Sequence, residues 1–70
     1  SYNEKREFGA LEDDIQRLQN QKARIEQQFL NVEIPQEDIQ QKSEELQQII
    51  EKLETKEERW LELSLKMEEN

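Results

Sequence analysis

The chain has 70 residues, with 40% charged, 31% hydrophobic and a formal net charge of −8. That length holds at most one small domain and cannot bury a large compact core. With neither cysteine nor histidine, it lacks a disulfide framework, a thiol nucleophile, a thiolate metal site and the usual general base. No apolar run approaches the roughly 20 residues of a membrane-spanning helix, and the N-terminus has no signal-peptide pattern. A start at Ser-Tyr rather than Met is expected of a segment cut from a longer protein. High net charge with few apolar residues is also the composition of disorder. Periodicity decides against that reading.

Ser1-Tyr2-Asn3-Glu4 fits a capping box, in which the Ser1 hydroxyl accepts from the Glu4 N–H and the Glu4 carboxylate reaches back. Apolar residues then recur at helical steps. Phe8, Ile15 and Phe29 share one seam row, and Leu11, Leu18, Ile25 and Val32 the other, with Lys22 the single break. Gly9 costs about 1 kcal/mol relative to alanine inside a helix, so the first turns are expected to be the softest.

The pattern is interrupted at Val32-Glu33-Ile34-Pro35-Gln36-Glu37. Proline lacks a backbone donor and clashes with the preceding turn, so no straight helix passes through Pro35, though the residue is well tolerated where a helix begins. Beyond it the heptads resume. Ile39, Leu46, Leu53, Trp60 and Met67 form one row, and Lys42, Ile49, Lys56 and Leu63 the other. Glu37 and Asp38 fall in the first turn, where negative charge suits the helix dipole, and Ile34 is placed to staple onto Ile39.

The expected fold is all-α: a two-helix antiparallel coiled-coil hairpin with its bend near Ile34-Pro35. Helix one covers about 2–31, the turn about 32–36 and helix two about 36–68, in one domain over 1–70. One register pairs Val32 with Ile39, Ile25 with Leu46, Leu18 with Leu53, Leu11 with Trp60 and Phe8 with Leu63. It sets Lys42 opposite Phe29, Lys22 opposite Ile49 and Lys56 opposite Ile15, each lysine laying its stem on an apolar neighbour with its ammonium in water. Ser1 ends beside Asn70, and each arm is about 45 Å long at 1.5 Å per residue. Since each arm saturates the seam of the other, a monomer is expected. On one edge Glu7 and Asp14 face Lys52, Arg59 and Lys66, while on the other Glu12 approaches Glu57. Exposed ion pairs contribute only about 0–1 kcal/mol each, so the apolar seam sets the register.

Little here suggests chemistry. Glu12-Asp13-Asp14 and Glu57-Glu58 read as solvated faces, because adjacent helical residues point apart. Trp60 has the surface to stack on a nucleobase, but its seam position makes it core. No catalytic, cofactor-binding or metal-ligating residue is identified. A net charge of −8 offers no general attraction to phosphate. The cations nonetheless gather toward the termini. Lys5, Arg6, Arg17, Lys52, Arg59 and Lys66 are the candidate nucleic-acid contacts, whereas Glu33, Glu37, Asp38, Glu44 and Glu45 at the bend should repel phosphate.

The opening, Ser1-Tyr2-Asn3-Glu4-Lys5-Arg6-Glu7-Phe8 with Leu11-Glu12, resembles the start of the C-terminal coiled-coil domain of ABC-F ATPases, the Uup-like group. Glu58-Arg59-Trp60-Leu61-Glu62-Leu63 resembles its closing stretch. The resemblance implies a soluble, cytoplasmic parent that carries two ATP-binding cassettes and binds ATP and magnesium there, with none of these ligands held by this chain. It further implies contact with DNA, ribosomal RNA, the ribosome or the parent's own cassettes. This copy departs from the family in its acidity and in having Ile34-Pro35 at the bend. The competing reading, from another class, is a purely structural or protein-interaction coiled-coil spacer.

Overall fold

The computed structural model describes residues 1–31 and 34–68. Two α-helices, α1 (Tyr2–Leu30) and α2 (Ile39–Glu68), pack against each other as an antiparallel hairpin measuring 51 × 15 × 15 Å. The all-helical hairpin expected from the heptads is the fold found. The Ser1 hydroxyl accepts from the Glu4 N–H at 3.3 Å, and the terminal ammonium donates to Glu4 Oε1 at 3.3 Å, completing the capping box. At the other end of α1, the Asn31 N–H donates to the Gln27 carbonyl at 3.0 Å.

Val32 and Glu33 lie outside the described residues, and with them the Val32–Ile39 layer and the charge of Glu33. Glu69 and Asn70 do too, so the meeting of Ser1 with Asn70 also falls outside. Pro35 has φ −57° and ψ 146°, an extended conformation that stops a helix from running through it. It precedes a 3₁₀ turn over Gln36–Asp38, and its carbonyl accepts from the Asp38 N–H at 2.9 Å. The tighter winding common at helix starts occupies these residues, so α2 begins at Ile39 rather than near Gln36.

Among the described residues, the buried core is Leu11, Leu18 and Ile25 from α1 with Ile49, Leu53 and Leu63 from α2. Leu18, Ile25, Ile49 and Leu53 form one cluster, with Ile15, Phe29 and Leu46 packed against it. Both members of the expected Leu18–Leu53 and Ile25–Leu46 layers are therefore present. Toward the open end Phe8 stacks on Trp60, with ring centroids 5.5 Å apart and planes at 21°. Flat side chains of this size reach diagonally across a seam, and offset stacking favours the contact beyond area burial alone. Two seam positions are less covered than expected. Ile39 is 42% and Met67 39% exposed, because the end positions of a two-helix seam lack a following layer.

Candidate nucleic-acid interface

The antiparallel seam places the heptad edge carrying Glu7 and Asp14 beside the edge of α2 that carries Lys52, Arg59 and Lys66. Side chains there must choose among several partners, and the choice decides which cations remain available. Arg59 is claimed by two carboxylates. Its Nε and Nη2 donate to Glu7 Oε2 and Oε1 at 2.8 and 3.0 Å, and its Nη1 donates to Glu62 Oε2 at 3.0 Å. Lys66 Nζ donates to Glu4 Oε2 at 3.0 Å, and Arg17 Nη2 to Asp14 Oδ1 at 2.9 Å.

Asp14 does not pair with Lys52, Arg59 or Lys66 as the edge pattern suggested. Lys56 reaches out from the seam and donates to Asp14 Oδ2 at 3.0 Å. Its ammonium thus sits on a carboxylate rather than in water, as a flexible four-carbon stem allows. Lys42 similarly ends 3.5 Å from Glu45 Oε2 on its own helix. The consequence is that Lys52 stands in no ion pair among the described residues.

These bonds shift the titration of the acids. The Lys66 ammonium holds the Glu4 carboxyl below its ordinary value, and the Arg59 guanidinium does the same for Glu7. Lys56 first, then Arg17, lowers that of Asp14. The hydrogen bonds that Arg59 donates to Glu7 and then to Glu62 push its own titration upward. Each carboxylate is the charged partner of its cation at neutral pH.

The candidate cations therefore divide into three sets. Arg17, Arg59 and Lys66 hold carboxylates. Lys5 and Arg6 are exposed at the open end, where Lys5 and Lys66 line one shallow hollow with Ser1, Glu4, Leu63 and Met67. The Arg6 guanidinium lies 5.9 Å from the centre of the Tyr2 ring, and Tyr2 is 73% exposed. Lys52 lies apart, in a groove nearer the bend that it shares with Gln21, Arg24, Gln28, Gln48 and the Lys42–Glu45 pair. Gln28 Oε1 is buried there with no hydrogen-bond partner among the described residues. Sequence reasoning passed over Arg24 and Tyr2. The heptad position of Arg24, one heptad after Arg17 and beside the same edge, was the available signal. Tyr2 precedes the seam pattern and gave none. Trp60, expected in the core, is half-buried in its stack with Phe8 at the edge of the seam and lies outside the buried core.

Among the described residues no cluster of acids suits a metal ion, and no helix is long and apolar enough to cross a membrane. The chain matches no curated protein and no solved structure. Residues 1–65 do match a family model, that of the ABC transporter C-terminal domain. That match runs from the capping box through both helices to Leu65, and the chain belongs to the ABC transporter C-terminal domain family.

Proposed function

We propose that this chain is the accessory C-terminal domain of a soluble, cytoplasmic ABC-F ATPase of the Uup-like group. In this reading it is a monomeric arm whose open end touches nucleic acid, either DNA or ribosomal RNA. The observation that carries the reading is the exposed Tyr2 ring with the Arg6 guanidinium over it and exposed Lys5 beside Arg6 on the same end of α1. Family membership and the opening motif support it. ATP and magnesium belong to the parent's cassettes. Lys5 and Arg6 meet backbone phosphates, and the Tyr2 ring offers a face on which an unpaired base stacks. Arg24 and Lys52 provide a second phosphate contact along the groove. Arg59 and Lys66 chiefly hold the open end of the hairpin together, while Arg17 pairs with Asp14 within α1.

With a net charge of −8, the isolated chain should bind more weakly than about 1 μM at physiological salt, as non-specific complexes do. The test is an NMR titration at low salt with a short DNA or ribosomal RNA duplex that carries a single-stranded overhang. Expected are shifts at Tyr2, Lys5, Arg6, Arg24 and Lys52, an affinity that falls steeply with salt, and weaker binding by Lys5→Gln with Arg6→Gln. Salt-insensitive binding, or shifts centred on residues 36–45, would overturn the reading. One observation favours the structural spacer, or an arm resting on the parent's own cassettes: half of the candidate cations are already held by carboxylates. No shift anywhere would select that alternative.

A further inference from the structure

The edge of the hairpin opposite the ion pairs is built differently. Glu4, Glu7 and Asp14 are all neutralised across the seam on the first edge. On the second, Glu12 from α1 and Glu54, Glu57 and Glu58 from α2 take part in no ion pair among the described residues. They flank apolar surface. One groove is lined by Lys22, Ile50, Leu53, Glu54, Glu57, Glu58 and Leu61. It adjoins a second, in which Glu57 and Leu61 recur beside Glu12, Ile15 and Trp60. Leu61 is 53% exposed, and Leu65, one turn further along α2, is 52% exposed.

From this we infer that the edge centred on Leu61 is a docking surface for a basic amphipathic helix of a partner protein. Such a helix lays its apolar side chains at i, i+3, i+4 and i+7 over Ile50 and Leu61. Its flanking lysines or arginines meet Glu12, Glu54, Glu57 and Glu58. From Ile50 to Leu61 the surface extends about 16 Å at 1.5 Å per residue, room for about three helical turns. Charge complementarity selects this occupant. A second copy of the chain, itself at −8, sets acid against acid, and the same acids repel a phosphate backbone. The surface lies apart from Lys5, Arg6 and Lys52, so it does not depend on the nucleic-acid reading.

The test is an amide NMR titration of the chain with a synthetic peptide carrying leucines at i, i+3, i+4 and i+7 and lysines elsewhere. The control is a peptide of the same composition with its leucines spread around the helix. Shifts are expected at Lys22, Ile50, Glu54, Glu57 and Leu61, with the control binding more weakly. Leu61→Ser should weaken binding about tenfold, the effect of losing part of one buried leucine. Because Leu61 is half exposed, its melting curve should barely move. Glu57→Gln with Glu58→Gln should weaken binding several-fold and flatten its salt dependence. Shifts confined to other faces, equal binding by the control, or unchanged affinity in both variants would overturn the inference.

Discussion

Arg59 holds Glu7 across the helix pair through two side-by-side hydrogen bonds of 2.8 and 3.0 Å, clamping the last third of α2 to the first turns of α1. Two bonds fix an orientation as well as a distance, and only a planar guanidinium makes them together. Arg59→Lys keeps the charge but loses the fork. It should lower the melting temperature, and Arg59→Gln should lower it further. An Arg59→Lys melting curve that overlays the parent's would show the fork to be dispensable.

Acid should loosen the same edge. The carboxyls of Glu4, Glu7 and Asp14 titrate below their ordinary values in the folded chain. Groups depressed in this way stabilise fully above their unfolded pKa, and the contribution fades as pH falls through the lower, folded value. Comparing the parent with Glu7→Gln isolates one such group. The parent should melt higher at neutral pH, with the gap closing as pH drops below about 4. A gap that persists unchanged to strong acid would contradict this assignment.

The core is thin enough for a single truncation to matter. Leu53 is 5% exposed within the central cluster, and Leu53→Ala should cost about 2–5 kcal/mol. Small domains have little more than that in total stability, so much of the helical signal should be lost in chemical denaturation at low denaturant. Leu65→Ala, at an exposed position of the same helix, should stay close to the parent. Equal losses in the two variants would mean that the seam does not carry the fold.

Gly9 presents the opposite case. An added Cβ there meets nothing within 4 Å, and the residue lies inside α1. Gly9→Ala should therefore stabilise by about 1 kcal/mol, the helix-propensity difference. For a domain of this size that raises the melting temperature by about 4–8 °C. A fall instead would point to a requirement at Gly9 beyond helix propensity.

Both helices, the cap and the bend could be read from the chain alone, because each rests on short-range chemistry. Heptad spacing dictates which side chains share a face, so Leu18, Ile25 and Leu53 had to meet whatever else happened. Ser1 and Glu4 cap the helix they begin, and Pro35 bars any straight continuation. The choice of ionic partner was not local in this sense. Lysine and arginine stems reach several carboxylates at similar sequence offsets, and the final geometry of two packed helices decides among them. That is why Lys56 took Asp14 and Lys52 was left beside Arg24, and why the Phe8 ring stacks on Trp60 across a diagonal. The division into one neutralised edge and one acidic, apolar edge likewise exists only once α1 and α2 lie side by side, because each edge is composed of residues from both helices.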